Sequence, residues 1–288
     1  MHVGTMYPDR PMDVAATLGS FVIVRPDWGP GGHGLLDDPV QIDGIRRHNL
    51  RVVLHILFTE RRLLDAVYFQ EYLTSLAIAV RAHGLNVFAI LADEEMYSRL
   101  QAGEYDQWDV MRLFDWRRNV HESLRAIRDV RDERIGQIKA VFPGVYVGAM
   151  ESWWSDDPRS YMPLSQKADF LALDPYVAAP ITRQTFDAYV TRAVDHLGHR
   201  TLMLIIQTFA LSTSAWRVMP TADQLRWWLE LAEQRAHVPA VAWFLLDVPT
   251  HLRTTMRGLL DDPSLLAAVQ SYAARNQRER EGVVSHGW

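Results

Sequence analysis

The apolar residues of this chain gather in short continuous runs, and most runs are followed by a stretch in which apolar residues recur every three or four positions. Short runs rich in β-branched and aromatic residues predict buried strands. Recurrence at three and four positions is typical of a helix with one apolar face. The predicted strands lie at 2–7, 21–25, 51–58, 86–91, 145–150, 170–173, 201–206 and 240–246.

The helical pattern is clearest at 67–82, 116–141 and 223–236, and Thr221-Ala222-Asp223 offers an N-cap for the third of these helices. Eight strand–helix repeats in about 260 residues fit a closed (β/α)8 barrel. No glycine-rich phosphate loop follows a strand, which disfavours a nucleotide-binding sheet. We therefore predict an α/β fold, a single-domain (β/α)8 TIM barrel over 1–276 with an outer helix at 263–275, followed by a flexible tail at 277–288.

Composition narrows the classes of partner and location. The chain has 288 residues, 48% of them apolar, a net charge of -5 and no cysteine. Scattered basic residues argue against binding to nucleic acid or to an anionic membrane, and the lack of cysteine excludes disulfides and thiolate metal sites. Because the sequence has neither a signal-peptide pattern nor a membrane-length apolar run, we expect a soluble protein, either cytoplasmic or a domain of a longer exported or virion protein.

Polar and aromatic residues stand at or just beyond the ends of the predicted strands, where barrel enzymes place their active sites. The densest group is Asp93-Glu94-Glu95, after the fourth strand. The other candidates around the ring are Arg25, His55, Glu151, Trp153, Trp154, Asp174, Tyr176, Gln207, Trp243 and Asp247. We expect the side chains of Glu94, Glu151, Asp174, Gln207 and Trp243 to converge on one pocket at a single end of the barrel.

A mouth of acids and aromatic rings suits glycoside hydrolysis. One carboxyl group protonates the leaving oxygen, a second carboxylate attacks or activates water, and aromatic faces stack on sugar rings. The simpler interpretation is that every barrel has a polar rim and that tryptophans belong to the core. It fits Trp227 and Trp228, which lie inside a helical pattern, better than Trp153 and Trp154, which follow a strand.

Four segments together resemble a group of glycoside-hydrolase-like barrels. These segments are Leu91-Ala92-Asp93-Glu94, Asp174-Pro175-Tyr176, Ile206-Gln207-Thr208-Phe209, and Arg217 with Pro220-Thr221 ahead of Val241-Ala242-Trp243. Such proteins carry an acid pair after strand four, Asp-Pro-Tyr after strand six and a Gln-aromatic pair after strand seven. The similarity runs from residue 86 to residue 250.

The broader resemblance is to the retaining-glycosidase clan, in which an Asn-Glu pair after strand four supplies the acid/base. It implies that Glu94 is the acid/base and that Asp93 replaces the Asn. Gln207 stands where that clan has its nucleophilic Glu, and a carboxamide cannot form the glycosyl ester. Three alternatives remain: Glu151 is the second carboxylate, Asp93 orients a substrate acetamide that acts as the nucleophile, or the barrel binds sugar without cleaving it.

Other chemistries find less support in the sequence. His196 and His199 have ligand spacing but flank Gly198 and have no third ligand nearby, so no metal is predicted. Lys139 and Lys167 are the only lysines, and neither follows a strand, which disfavours Schiff-base chemistry. No Gly-x-Ser-x-Gly elbow is present. We predict no cofactor.

These observations predict a glycoside hydrolase-like protein that acts on an oligosaccharide or polysaccharide. Its catalytic residues are Glu94 as general acid/base and Glu151, or Asp93 in the acetamide-assisted scheme. The other strand-end candidates are assigned to substrate binding. The alternative is a catalytically inactive carbohydrate-binding barrel, a module of a larger surface or virion assembly. The sugar, the linkage and the oligomeric state stay undetermined at this stage.

Overall fold

The structure, a computed structural model, has a closed barrel of eight parallel strands. It describes residues 1–6, 12–27, 34–93, 120–151, 165–174, 182–185, 187–188, 191, 201–212, 218–234, 238–244 and 256–282. The barrel strands are β1 His2–Met6, β2 Phe21–Val24, β3 Arg51–Ile56, β4 Val87–Ala92, β5 Tyr146–Glu151, β6 Phe170–Leu173, β7 Thr201–Gln207 and β8 Ala240–Phe244. Each strand pairs with its neighbours in chain order, and β8 pairs with β1. The predicted fold class is confirmed.

Helices surround the barrel. They are α1 Met12–Leu18, α2 Pro39–Arg47, α3 Glu60–Leu64, α4 Ala66–Ala82, α5 Val120–Val141, α6 Ala222–Gln234 and α7 Pro263–Gly282. A small antiparallel pair formed by Ala210–Leu211 and Met256–Arg257 lies beyond the C-terminal end of β7. In the part of the chain that the structure describes, no helix is long and apolar enough to cross a membrane.

Local sequence fixes where several helices begin. The Asp38 carboxylate accepts hydrogen bonds from the backbone N–H groups of Val40 and Gln41 at the start of α2. At the start of α6, the Thr221 hydroxyl accepts from the N–H of Gln224 at 3.1 Å, and the Gln224 side chain accepts from the N–H of Thr221 at 2.9 Å. This reciprocal capping box satisfies two donors that a helix end leaves unpaired. The predicted N-cap of this helix is therefore confirmed.

Two apolar clusters bury the two faces of every barrel strand, which explains why the strands are continuous apolar runs. Outward-facing residues such as Val22, Leu54 and Leu171 pack against the helices. Inward-facing residues such as Ile23, Val53 and Ala172 fill the barrel. Since side chains alternate between faces along a strand, membership of these clusters gives the face on which each neighbouring side chain lies.

The barrel interior is built in levels. A closed barrel of this size offsets neighbouring strands by about one residue, so each level takes side chains from alternate strands. Read from the N-terminal end upward, the observed strand registers give four levels. The first contains Phe21, Ala89, Phe170 and Ala240, and the second contains Gly4, Val53, Gly148 and Met203. The third contains Ile23, Leu91, Ala172 and Ala242, and the fourth contains Met6, His55, Met150 and Ile205. Nearly all of these residues are apolar, so the barrel is filled.

Two glycines in the second level make room for two phenylalanine rings. A Cβ atom placed on Gly4 would lie 2.4 Å from ring carbons of Phe21, and one placed on Gly148 would lie 2.4 Å from ring carbons of Phe170. Each glycine also pairs in register with the phenylalanine that it accommodates. Small and large residues therefore complement one another at the base of the barrel.

The predicted and observed boundaries differ most at the C-terminus. Helix α7 extends to Gly282, past both the predicted helix end at residue 275 and the predicted domain boundary at 276. Its early turns bury Leu265, Val269 and Tyr272 against the outer cluster, and this packing supports the polar turns that follow. Residues 283–288 of the predicted tail lie outside the described residues.

Candidate functional site at the C-terminal ends of the strands

The uppermost level of the barrel differs in chemistry from the levels below it. Above the fourth level, the next inward-facing position on each even-numbered strand is Arg25 after β2, Asp93 after β4, Asp174 after β6 and Phe244 at the end of β8. Asp174 and Asp93 are almost fully buried, with 0% and 1% of their surface exposed. Two acids, one base and one aromatic residue therefore stand at the C-terminal ends of alternate strands, at the end where barrel enzymes react.

Asp93 adopts an unusual backbone conformation directly after β4. Its φ of 63° lies in the left-handed region, which Asp tolerates better than most side chains do. Its N–H donates to the carbonyl of Ile56 at 2.9 Å, so its peptide is still tied to the neighbouring strand β3. The chain therefore turns sharply out of the strand at the residue before Glu94.

The His55 side chain, one level below Asp93, contacts the backbone on the other side of this turn. Its Nε2 lies 3.1 Å from the carbonyl oxygen of Asp93, and its side chain is fully buried. A carbonyl oxygen only accepts hydrogen bonds, so this contact requires the tautomer that carries a proton on Nε2. His55 therefore fixes the end of β4 through a backbone contact, and its contact with substrate stays a prediction.

Gln207 ends β7 with an inward-facing, fully buried side chain. Its Nε2 donates to the carbonyl of Phe209 at 2.8 Å. The Phe209 ring in turn packs edge-on against Phe244, with ring centroids 5.2 Å apart. The carboxamide therefore shapes the chain after β7 and supports the aromatic side of the mouth.

Glu151 lies at the correct end of the barrel but on the opposite face of its strand. Met150 belongs to the inner cluster and Ala149 to the outer one, so Glu151 continues the outward-facing set. Its Oε1 lies 2.5 Å from the Nη1 of Arg131 on α5, and both side chains are almost completely buried. This placement contradicts the predicted convergence of Glu151 on the mouth, because strand alternation turns its side chain toward the helices.

Arg131 is the main residue that sequence reasoning missed. Burial lowers the pKa of its guanidinium, but attraction by Glu151 and Asp93 and the hydrogen bond to Glu151 outweigh burial and hold the pKa above its ordinary value. A signal was present in the sequence: Arg131 lies four residues from each of the buried Ile127 and Ile135, within the apolar stripe of α5. A charge on the buried stripe of a helix predicts a buried partner.

Trp243 is a second correction. Its indole packs in the outer cluster, perpendicular to the Tyr272 ring of α7 at 6.1 Å, and its Nε1 donates to the carbonyl of Leu18 at 3.3 Å. The neighbouring Ala242 and Phe244 are the residues that face inward. Alternation therefore places Trp243 behind β8, where it cannot stack on a sugar in the mouth.

The remaining candidates divide into two groups. Arg25 is partly exposed and follows the inward-facing Ile23. The others lie outside the described residues, namely Glu94, Glu95, Trp153, Trp154, Tyr176 and Asp247. Among the residues that the structure does describe, no group of three His, Cys, Asp or Glu side chains could hold a metal ion.

Comparison with known proteins gives a fold likeness. No protein-family model matches the sequence, and no curated protein matches it. Among solved structures, a β-galactosidase from the psychrophilic Marinomonas ef1 is similar at 13% identity, with a TM-score of 0.63 over 98% of this chain and 60% of that one. A glucosidase from Croceicoccus marinus is similar at 14% identity, with a TM-score of 0.61 over 94% of this chain and 66% of that one.

A third similar structure is more nearly matched in length. It is a GH5_18 variant from Streptomyces cattleya in complex with Manb1-4GlcNAc, at 16% identity and a TM-score of 0.56 over 99% of this chain and 82% of that one. This chain spans less than two thirds of the first two relatives. At these identities the likeness concerns the fold, and the resemblance predicted from the sequence is confirmed at that level. The chain has the barrel fold of glycoside hydrolases.

Proposed function

We propose that this chain is a glycoside hydrolase in which Glu94 is the general acid. The observation that carries the proposal is the polar uppermost level of the barrel, where Asp93 and Asp174 stand above apolar levels in a glycosidase-type fold. Glu94 directly follows Asp93, whose backbone is held by β3 from two sides. A carboxyl group that enters such an acidic mouth keeps its proton more readily, because neighbouring carboxylates disfavour its ionisation.

The positions of Glu151 and Asp93 bear on which residue acts as the second catalytic carboxylate. Glu151 pairs with Arg131 behind the strands, which argues against its predicted role as nucleophile or base. Asp93 stays compatible with the acetamide-assisted scheme, since it lies in the mouth level. The inactive alternative draws support from Gln207, which places a carboxamide and not a carboxylate at the end of β7. Product release separates an enzyme from a binding protein.

The test compares the natural chain with Glu94→Gln on unactivated alkyl β-galactosides, β-glucosides, β-mannosides and N,N′-diacetylchitobiosides, whose leaving oxygen needs a proton in order to depart. Three of these sugars follow the names of the similar structures, and the fourth carries the acetamide. Glu94→Gln should lower kcat on an active substrate about 10²–10⁴-fold, because the amide keeps the shape of the side chain but has no proton to give.

Glu133→Gln is the matched control, since Glu133 lies exposed on α5 and should leave kcat unchanged. Retention of more than a tenth of the rate by Glu94→Gln would assign the acid to another residue. Cleavage confined to the N-acetyl substrate, together with loss of activity in Asp93→Asn, would favour the acetamide-assisted scheme. Sugar-dependent tryptophan fluorescence without any product would favour the binding protein.

A further inference from the structure

Four apolar side chains stand together at the C-terminal ends of β7 and β8. Phe209 and Leu211 follow β7, Phe244 ends β8, and Met256 lies in the small antiparallel pair beyond β7. Phe209 belongs to the inner cluster, while Leu211, Phe244 and Met256 are partly buried and pack against that cluster. Because the inner cluster fills the barrel, the four side chains cover its C-terminal end on this side. They are called the apolar wall below.

The apolar wall is held in place by backbone pairing and by ring packing. The Thr208 N–H donates to the carbonyl of Phe244 at 2.5 Å, so the chain after β7 stays tied to the end of β8. Leu211 and Met256 are partners in the register of the antiparallel pair. The rings of Phe209 and Phe244 pack edge-on, with centroids 5.2 Å apart. The wall is therefore preorganised, which lowers the entropy cost of binding a ligand.

Part of the apolar wall is accessible to a ligand. Leu211, Phe244 and Met256 are each partly exposed, whereas Phe209 behind them is only 3% exposed. Apolar side chains scattered singly over a protein surface are ordinary, but a contiguous group beside a concave opening is typical of a ligand site. The wall thus offers an apolar group of the ligand a surface on which to leave water.

The other side of the mouth is polar. In the ring of eight strands, β8 lies opposite β4, which is followed by the buried Asp93. The flanking even-numbered strands β2 and β6 are followed by Arg25 and Asp174. A ligand that meets both sides of this mouth is amphipathic, with polar groups towards β2, β4 and β6 and an apolar group towards β7 and β8.

The chemistry of the wall suits an alkyl or aryl group better than a second sugar ring. Sugar rings stack on flat aromatic faces and need hydrogen-bond partners for their hydroxyl groups. The accessible wall has one aromatic ring, that of Phe244, beside the aliphatic side chains of Leu211 and Met256. A methionine side chain is flexible and adapts to apolar ligands of irregular shape.

We infer that the apolar wall binds the apolar aglycone of an alkyl or aryl glycoside, whose sugar lies towards the polar side of the mouth. The inference deepens the proposed function and rests on it for the identity of the polar part of the ligand. It differs from the predicted oligosaccharide or polysaccharide substrate in the group attached to the sugar. Each CH₂ group that leaves water completely on binding should raise the affinity about fourfold.

Isothermal titration calorimetry with methyl and n-octyl β-glucosides and β-galactosides, all below their critical micelle concentrations, tests the inference. For the preferred sugar, the octyl glycoside should bind the natural chain at least tenfold more tightly than the methyl glycoside. Met256→Gln should lower this ratio at least threefold, because the added amide holds water at the wall. Met219→Gln is the matched control, since Met219 is also partly buried but packs against the outer cluster. A ratio near one, or one that Met256→Gln leaves unchanged, would overturn the inference.

NMR of the natural chain labelled with ¹³C-methyl methionine does not depend on how well a variant folds in use. The Met256 signal is the one that Met256→Gln removes, and the Met219 signal is identified in the same way. The octyl glycoside should shift the Met256 signal and leave the Met219 signal in place, and the methyl glycoside should shift neither. If methyl β-cellobioside or methyl β-lactoside shifts the Met256 signal and the octyl glycoside does not, the wall takes a second sugar ring and the inference is wrong.

Product release separates this inference from the proposed hydrolase function. Binding that depends on the octyl chain and on Met256, without release of octanol, would refute the hydrolase and support the wall as an aglycone site. Release of methanol and octanol with equal kcat/KM from the two glycosides would support the hydrolase and overturn the inference. Absence of binding by all of these glycosides would overturn the inference as well.

Discussion

Tyr72 illustrates at the scale of one residue how burial sets chemistry away from the mouth. Its ring stacks on Phe69 with centroids 6.1 Å apart, and the Arg62 guanidinium lies 4.0 Å from the ring centroid. Its hydroxyl oxygen is buried and has no hydrogen-bond partner among the described residues. Burial raises the pKa of Tyr72 to about 12, although Arg62 acts in the opposite direction.

The raised pKa predicts a loss of stability at high pH. Below pH 10 the tyrosine is neutral in both states, so it contributes no pH dependence. Between pH 10 and 12 the unfolded chain releases its proton while the folded chain keeps it, which lowers the free energy of unfolding by about 2 kcal/mol. Urea unfolding at pH 9 and pH 11.5 measures this difference, and Tyr72→Phe should reduce it.

Tyr146→Phe provides the control, because Tyr146 is exposed. At pH 7, Tyr72→Phe should be neutral or slightly stabilising, since it removes a buried hydroxyl that lacks a partner. An unchanged pH dependence in Tyr72→Phe would show that other groups cause the loss.

Trp243 should matter for stability and not for sugar binding. Trp243→Ala removes an indole packed between β8 and α7 and should lower the free energy of unfolding by about 3–5 kcal/mol. For the milder Trp243→Phe, iminosugar affinity of the folded protein should equal that of the natural chain, as measured by calorimetry. A tenfold loss of affinity in Trp243→Phe would show that this side chain acts on the mouth.

At the scale of elements, α5 is attached to the barrel by charge as well as by apolar packing. Arg131 pairs with Glu151 near the C-terminal end of β5, and the next residue, Asp132, accepts a hydrogen bond from the N–H of Gln166 ahead of β6 at 3.0 Å. Breaking a buried pair costs more than the pair contributes, because it leaves one charge without compensation. The helix is thus sensitive to the loss of one partner.

The buried pair should therefore show strong coupling. Arg131→Met should lower the free energy of unfolding by about 3–5 kcal/mol, since Glu151 stays buried without its partner. The double variant Arg131→Met with Glu151→Leu should recover most of that loss. Denaturant unfolding of the four proteins in the cycle measures the coupling. Additive losses in the double variant would show that the two side chains do not depend on each other.

Strand positions could be predicted from the sequence, whereas strand faces could not. A run such as Phe170–Leu173 is apolar on both faces because the helices cover one face and the barrel interior covers the other. Without alternation, nothing in the sequence indicates which residues face inward. This is why the sequence does not show that Trp243 and Glu151 face the helices.

At the scale of the whole molecule, closure of the barrel depends on the space that Gly4 and Gly148 leave for the rings of Phe21 and Phe170 at its N-terminal end. Gly4→Ala would place a carbon 2.4 Å from the Phe21 ring and should lower the free energy of unfolding by about 1–3 kcal/mol. Gly136→Ala on α5 is the control, because nothing lies closer than 4.0 Å and helical alanine is favoured; it should stabilise by about 0.5–1 kcal/mol. Guanidinium unfolding midpoints measure both.

The double variant Gly4→Ala with Phe21→Leu tests whether overlap with the Phe21 ring causes the loss of stability. The smaller leucine side chain should relieve the overlap and recover part of the lost free energy of unfolding. A Gly4→Ala protein as stable as the natural chain would mean that the first two strands move apart without cost.

The filled N-terminal end also prevents small molecules from passing through the barrel. Phe21 packs edge-on against Phe88, with ring centroids 5.6 Å apart, and the Arg51 guanidinium lies 4.4 Å from the Phe88 ring centroid beneath them. Three levels, in which His55 is the only polar residue, separate the level of Phe21 from that of Asp174. The barrel is therefore closed at its N-terminal end, so a ligand that enters the mouth must leave through the same opening.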